Sequence, residues 1–214
     1  MSIDVESGEE VTLARAAQFF GWSFSPDGER VVFARVGRTA DGYFSEDVDL
    51  FVTAADGGET RRVTATGDSS YPVWGPTSIA FAKSLSEIWQ IQPDGTGRAR
   101  ITRPLPTQFE RRDGLFPIDW SEDGGVLLAG LLDDWGSQPV AVDPETGATH
   151  ELGRFGRPLG ADTLRLSRDG RSALIQDGVR PHVPREKMAV LVVPYPRGKP
   201  TRTVRGARSP SWNR

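Results

Sequence analysis

The feature that most constrains the fold of this chain is a short phrase that recurs along it. Trp-Ser-Phe-Ser-Pro-Asp-Gly at residues 22–28 is followed by Trp-Ser-Glu-Asp-Gly at 120–124 and by Leu-Ser-Arg-Asp-Gly at 166–170. Trp74 begins a shorter copy, and Trp212 begins a copy that the end of the sequence interrupts. The five starting positions are separated by 52, 46, 46 and 46 residues. Each period is therefore one structural unit whose faces must be buried by its neighbours.

Each period resolves into four predicted strands. The first strand ends at the Ser-x-Asp-Gly turn, and the second is rich in β-branched and aromatic residues, as in Val-Val-Phe-Ala at 31–34. The third strand runs into an Asp-Gly turn, at 56–57 or 94–95, that supplies the positive φ of a tight hairpin. The fourth is polar and suits an exposed outer edge. The pattern predicts an all-β protein, a β-propeller of four-stranded antiparallel blades near 22–64, 74–102, 120–152 and 166–204.

The aromatic residues that begin the repeats are predicted to form the core. One blade cannot bury both of its faces, so large flat side chains near the inner strand fill the wedge between neighbouring blades. We therefore expect Trp22, Trp74, Trp120 and Trp212 to be buried.

The two termini together predict part of a further blade. Asp4–Leu13 aligns without gaps on Asp143–Leu152, which places the third and fourth strands of a blade at the N-terminus. Ser209–Trp212 would supply a first strand, so a closing or partial blade is predicted from 1–15 and 207–214 within a single domain, 1–214. Residues 150–214 carry 14 basic and 5 acidic residues, against 12 basic and 24 acidic in 1–149, so the two ends have complementary charges. A fragment of a larger ring, or an open arc that pairs with another chain, stays an alternative.

The repeat also resembles a known family. Trp-Ser-x-Ser-Pro-Asp-Gly, then an apolar strand, then Asp-Gly-Gly-x-x-x-Arg-Val-Thr at 56–64 is similar to the WD40-like repeat of TolB-type β-propellers and of the propeller domains of prolyl oligopeptidase relatives. The resemblance covers nearly the whole chain, without the hydrolase domain. It implies a propeller fold but no particular activity, because such propellers serve as scaffolds, accessory domains and occasional enzymes.

The sequence contains no recognisable catalytic constellation. It has no cysteine, its only histidines are His150 and His182, and it has no Gly-x-Ser-x-Gly elbow and no glycine-rich phosphate loop. We therefore predict no catalytic site, no cofactor and no metal. The net charge of −3, without aromatics interleaved among basic residues, argues against nucleic-acid binding.

The sequence also predicts where the protein works. The longest aliphatic run, Ala189–Val193, is too short to cross a membrane, so no membrane insertion is expected. The first residues lack a basic and an apolar signal region. A cytoplasmic location is predicted, and an extracytoplasmic one stays open if the N-terminus is incomplete.

Aromatic and basic side chains concentrate in the predicted loops after the second and fourth strands, which lie on one face of a propeller. Exposed aromatic and arginine side chains are enriched in protein interfaces. The sequence predicts a non-enzymatic binding or scaffold module that recruits a protein or peptide through this loop face and the central funnel, and that self-associates if its ring is incomplete. The alternative is a truncated enzyme or accessory propeller subunit acting on carbohydrate or peptide. The predicted partner-binding residues are Tyr43, Phe44, Tyr71, Arg111, Arg112, Phe116, Trp135, Arg180, His182 and Arg185.

Overall fold

The structure is a computed structural model, and it describes residues 2–3, 10–14, 18–38, 44–102, 114–133, 136–152, 164–177, 189–195, 199 and 202–205. Every regular element in these residues is a β-strand, as the repeat predicts. None of the described segments forms a helix that could span a lipid bilayer.

The strands follow the repeat along the chain. Their bounds are β1 Ser2–Ile3, β2 Glu10–Val11, β3 Phe19–Phe24, β4 Arg30–Arg38, β5 Phe44–Ala54, β6 Arg61–Arg62, β7 Ser69–Trp74, β8 Ile79–Lys83, β9 Glu87–Ile91, β10 Ala99–Arg100, β11 Gly114–Trp120, β12 Leu127–Asp133, β13 Gly136–Val142, β14 Thr149–Glu151, β15 Leu164–Leu166, β16 Ser172–Asp177, β17 Ala189–Pro194 and β18 Arg202–Arg205.

These strands form four four-stranded antiparallel sheets, each in chain order: β3–β6, β7–β10, β11–β14 and β15–β18. The prediction of an all-β fold with four-stranded antiparallel sheets is thereby confirmed. The chain divides into two compact units. The first, residues 1–84 and 89–99, contains the sheet β3–β6 together with β7 and β8. The second, residues 85–88 and 100–214, contains the sheets β11–β14 and β15–β18.

In the first unit, one face of the sheet β3–β6 packs against the next sheet. Alternate residues of β4 and β5, including Val32, Ala34 and Leu50, form one buried cluster with Trp74 and Phe81. The period of two that brings these side chains to one face is that of a β-strand. Trp74 is therefore in the core, as predicted.

The second unit repeats this arrangement with smaller side chains. Leu128 and Ala141, from β12 and β13, and Leu152, which follows β14, are clustered with Leu164 and Leu166 of β15. In both units, the last residue of a sheet's first strand therefore packs against the second and third strands of the preceding sheet.

The Ser-x-Asp-Gly turns are held by hydrogen bonds to their aspartates. Asp123 accepts hydrogen bonds from the Ser121 hydroxyl (2.7 Å) and the Gly125 amide (2.9 Å), and Asp27 and Asp169 hold their turns in the same way. The serine bonds to Asp27 and Asp169 and the amide bond to Asp123 are the strongest influences that lower the pKa of these carboxyl groups.

The Arg-Val-Thr motif joins the fourth strand to the third. The Thr64 hydroxyl accepts from the Leu50 amide (2.9 Å) and donates to Asp49 (2.8 Å), while the Arg62 guanidinium donates to the Thr64 carbonyl oxygen and pairs with Asp49. In the next sheet Thr102, Arg100 and Glu87 repeat the arrangement: Thr102 accepts from the Ile88 amide (3.0 Å), and Arg100 pairs with Glu87 (2.9 Å).

Trp22 is wrongly predicted as a core residue, and its alignment with Trp74 is shifted by two positions. The backbone amide of the first residue after the first strand donates a hydrogen bond to a carbonyl oxygen on the far side of the turn. The pairs are Ser25 with Arg30, Gly75 with Ser78, and Ser121 with Val126. These bonds align Phe24, and not Trp22, with Trp74 and Trp120. Trp22 lies two residues earlier and is 65% exposed, whereas Trp120 is half-buried. Trp212 lies outside the described residues.

The N-terminal strands pair as the alignment of Asp4–Leu13 with Asp143–Leu152 predicts. Ile3 pairs with Glu10 and Ser2 with Val11, antiparallel. The aligned residues of β13 and β14 pair in the same register, Val142 with Thr149 and Ala141 with His150. The proposed C-terminal complement of this blade, 207–214, lies outside the described residues.

Candidate functional site

The first strands of three sheets each have a shift in pairing register near their end. The register of pairing shifts between Phe19 and Trp22 in β3, between Ser70 and Val73 in β7, and between Pro117 and Asp119 in β11. Such β-bulges bend a strand and redirect side chains, and they are enriched next to functional sites.

Two of these bulges fit against each other in the first unit. Gly21 adopts φ +92°, and a Cβ built on it would lie 2.9 Å from the Cα of Tyr71. Tyr71 itself has φ 50°, a region that few residues other than glycine and asparagine occupy. Glycine is required at position 21 because any side chain would strike the backbone of β7. This close contact therefore fixes the backbone position from which the Tyr71 side chain extends.

The bulges gather aromatic rings at the beginning of β3 and β7. The rings of Phe20 and Tyr71 meet edge to face, with centroids 6.3 Å apart, and both side chains are half-buried. Phe19 is 42% exposed, and its ring meets that of Phe33 edge to face at 5.7 Å. We call Phe20 and Tyr71 the aromatic surface. Such rings offer a large contact area to a partner at a low cost in side-chain entropy.

Charged groups support the β7 end of this surface. Asp68 lies 3.1 Å from the Lys83 ammonium and 3.7 Å from the Arg98 guanidinium, and accepts from the Thr66 hydroxyl at 2.6 Å. Partial burial acts to raise the pKa of Asp68, but the hydrogen bonds from Thr66 and Lys83 outweigh it and hold that pKa below its ordinary value. The Arg98 guanidinium also lies 5.1 Å from the centroid of the Trp89 ring. These contacts hold the chain immediately before Tyr71 in place.

Of the predicted partner-binding residues, Tyr71 lies on this surface. Phe44 begins strand β5. Phe116 was predicted in an exposed loop, and this is wrong: it lies in β11 and is 3% exposed, because Gly130 on the paired strand leaves room for its ring. The other predicted residues, Tyr43, Arg111, Arg112, Trp135, Arg180, His182 and Arg185, lie outside the described residues.

Three residues that hold Tyr71 in place were not predicted from the sequence: Gly21, Asp68 and Lys83. Gly21 is the one signal that could have indicated them, since a glycine within an apolar strand often marks a bulge or a close backbone approach. Asp68 and Lys83 gave no signal, because their pairing depends on the register of β7 on β8. No group of three or more acidic or histidine side chains suited to a metal ion occurs in the part of the chain that the structure describes.

Comparison with known proteins identifies the fold. No protein-family model and no curated protein matches the chain. Among solved structures, a TolB from Agrobacterium tumefaciens is 18% identical, with a TM-score of 0.66 over 94% of this chain and 70% of that one. The fold is that of a TolB-like β-propeller. The resemblance of the repeat motif to TolB-type propellers is thereby confirmed.

Other propellers of this fold have different activities. A chain of a nidogen/laminin complex is 14% identical, with a TM-score of 0.65 over 96% of this chain and 72% of that one. A puromycin-hydrolyzing peptidase from Mycobacterium tuberculosis is 17% identical, with a TM-score of 0.61 over 94% of this chain and 31% of that one. At these identities the TolB-like likeness establishes the fold alone, and the function must be argued from the site.

Proposed function

We propose that this TolB-like propeller is a non-enzymatic binding module that recruits a protein or peptide through its aromatic surface. The observation that carries the proposal is the pair of interlocked bulges, which holds Tyr71 at φ 50° beside Phe20. A non-glycine residue in this backbone region costs roughly 1–3 kcal/mol, and such conformations cluster at functional sites.

The composition of the surface supports a polypeptide ligand. Aromatic residues are among those that most often dominate the binding energy of protein interfaces. Protein recognition by this fold has a precedent in the neighbour from a nidogen/laminin complex.

The experiment starts from peptides selected by display on the immobilised protein. Their affinity is then measured by calorimetry for the wild type, Tyr71→Asn and Phe20→Ala. Asparagine removes the ring but adopts positive φ readily, so the bulge is kept. We expect both variants to bind at least about tenfold more weakly, which corresponds to roughly 1.4 kcal/mol.

Glu29→Ala is the matched control, because Glu29 is exposed in the turn at the opposite end of β3. Its affinity should equal that of the wild type, and circular dichroism should show the same fold for all variants. Selected peptides that bind Tyr71→Asn and Phe20→Ala as tightly as the wild type would contradict the proposal.

A further inference from the structure

Five turns in the described part of the chain contain the dipeptide Asp-Gly, at 27–28, 56–57, 94–95, 123–124 and 169–170. An aspartate before a glycine can react with its own backbone, because glycine has no side chain to hinder its amide nitrogen. That nitrogen attacks the side-chain carboxyl carbon and closes a five-membered succinimide ring. The reaction requires the carboxyl group to rotate onto the nitrogen, so the five turns can be ranked by what holds each aspartate.

Four of the five aspartates are held by hydrogen bonds. In each of these turns, the amide two residues after the aspartate donates to its carboxylate at 2.8–3.0 Å. A serine or threonine hydroxyl donates to the same carboxylate. These bonds must break before the ring can close, which slows the reaction. The residues held in this way are Asp27, Asp94, Asp123 and Asp169.

The turn at Asp56 lacks both kinds of donor. Ala54 lies two residues before Asp56, where three of the other turns have serine. Asp56 is exposed, and no described residue, including Gly58, donates a hydrogen bond to its carboxylate. The attacking nitrogen is also held least tightly. The Gly57 amide donates to the Ala54 carbonyl oxygen at 3.2 Å, whereas the equivalent bonds of the other four glycines measure 2.9–3.0 Å.

The chain contains a matched comparison for this turn, because residues 56–58 and 123–125 both read Asp-Gly-Gly. Both aspartates are exposed. Asp123 accepts from the Gly125 amide at 2.9 Å and from the Ser121 hydroxyl at 2.7 Å, and these two bonds hold its pKa below the ordinary value. Because the ring closes from the protonated carboxyl group, a lower pKa reduces the reactive fraction. The two sites therefore share a local sequence and differ in structure.

We propose that Asp56 is a site of spontaneous modification, at which the linkage to Gly57 isomerises to an isoaspartyl bond while the four held aspartates are protected. The Gly57 nitrogen attacks Cγ of Asp56, and its proton leaves with the carboxyl hydroxyl as one water molecule. Water then opens the succinimide. Attack at the main-chain carbonyl leaves Gly57 attached through Cγ, whereas attack at Cγ restores aspartate. Water is the only reactant, and the isomer has the composition of the original chain.

The modification lies where the β5–β6 turn meets strand β2. An isoaspartyl linkage adds one methylene group to the main chain between residues 56 and 57. A Cβ built on Gly57 would lie 2.9 Å from the Val11 side chain, so this side of Gly57 has no free space. The lengthened backbone therefore shifts the turn or Val11, and isomerisation of Asp56 couples the age of the protein to the packing of β2.

The test follows incorporation of heavy oxygen from labelled water into the folded, full-length chain at neutral pH. Every opening of the ring adds one oxygen atom from water, whichever carbonyl is attacked. Peptide mass spectrometry locates the label, and electron-transfer fragmentation identifies the isoaspartyl product. We expect the label to accumulate at Asp56 about tenfold or more faster than at Asp123, because Asp123 reacts only after its hydrogen bonds break.

The controls separate local sequence from structure. Synthetic peptides that copy residues 52–60 and 119–127 should incorporate label at similar rates, since neither is held by the fold. Ser121→Ala removes one donor and should bring the rate at Asp123 closer to that at Asp56, with circular dichroism to verify the fold. Asp56→Glu should lose the label at position 56, because its ring would have six members. The comparison of the wild type with the two peptides decides the proposal even where Ser121→Ala does not fold.

Three results would overturn the proposal. The first is equal labelling of Asp56 and Asp123 in the folded chain. The second is a ratio of rates that is the same in the folded chain and in the peptides, because local sequence would then explain it. The third is an unlabelled Asp56 after a time in which the 52–60 peptide has isomerised, which would show that the fold protects this turn as well.

Discussion

Strands β3 and β15 have the same place in the repeat and opposite environments. Both end at a Ser-x-Asp-Gly turn held by the same hydrogen bonds. Leu164 and Leu166 of β15 are buried, whereas Trp22 and Phe24 of β3, which have larger apolar side chains, are exposed. The comparison teaches that side-chain hydrophobicity sets which face a strand can bury, while the neighbouring sheet decides whether it is buried.

The largest expected effect tests this difference directly. Leu164→Ala removes a fully buried side chain and should lower the free energy of unfolding by about 2–5 kcal/mol. Trp22→Ala removes a larger but exposed side chain and should change it by less than about 1 kcal/mol. Urea unfolding measures both. A loss for Trp22→Ala as large as that for Leu164→Ala would mean that Trp22 is covered in solution.

The next comparison is between the motif Arg62-Val63-Thr64 and its equivalent in the next sheet, Arg100-Ile101-Thr102. Asp49 is buried and accepts hydrogen bonds from the Thr64 hydroxyl and from the Thr66 (3.1 Å) and Gly67 (3.2 Å) amides. Asp49→Ala should therefore lower the free energy of unfolding by about 2–3 kcal/mol. Glu87 is more exposed and pairs with Arg100, so Glu87→Ala should cost under about 1 kcal/mol. Equal losses of unfolding free energy for Asp49→Ala and Glu87→Ala, measured by urea unfolding, would show that the deeper burial of Asp49 does not increase its contribution to stability.

A smaller effect is expected in the hairpin between β8 and β9. Ser84 and Leu85 both have positive φ, 49° and 53°, as in a type I′ turn, whereas the β9–β10 turn has glycine at 95. Ser84→Gly should raise the free energy of unfolding by up to about 1 kcal/mol by relieving this strain. Ser84→Ala removes the hydroxyl but keeps the strain, so it is the matched control. A glycine variant no more stable than the alanine variant in thermal unfolding would contradict the expectation.

The smallest effect per residue is expected from the turn aspartates, which are solvent-exposed. The folded pKa of Asp27, Asp123 and Asp169 lies below the ordinary value of 3.8. Their stabilising contribution is therefore fully present above that value and is lost as pH falls through the folded pKa values. Between pH 5 and pH 2, the triple Asp→Asn variant should lose stability less steeply than the wild type.

A charge-matched variant controls for this experiment. Glu10, Glu59 and Glu145 are exposed, and their replacement by Gln removes the same number of carboxyl groups outside the three turns. Its stability should follow the wild-type pH dependence more closely than the aspartate variant does. The reverse order would show that net charge, and not the turn bonds, governs acid sensitivity.

The interior of each repeat could be predicted because its signals are local. Asp-Gly turns and alternating aliphatic residues predict the four sheets, and the alignment of Asp4–Leu13 with Asp143–Leu152 predicts the pairing of β1 with β2. The candidate site could be predicted only in part. Tyr71 was found as an aromatic residue in a loop region, but its positive φ arises from the approach of Gly21, 50 positions earlier in the sequence.

The sequence by itself determined the fold class, the strand order within each sheet and the bracing of the turns, because these depend on residues close together in the chain. Tertiary structure alone decided that Phe116 is buried, that Trp22 is exposed, and that two bulges meet at Tyr71. The physical reason is that burial belongs to a pair of surfaces. One repeat specifies an apolar face, but only the sheet packed against it determines whether water is excluded.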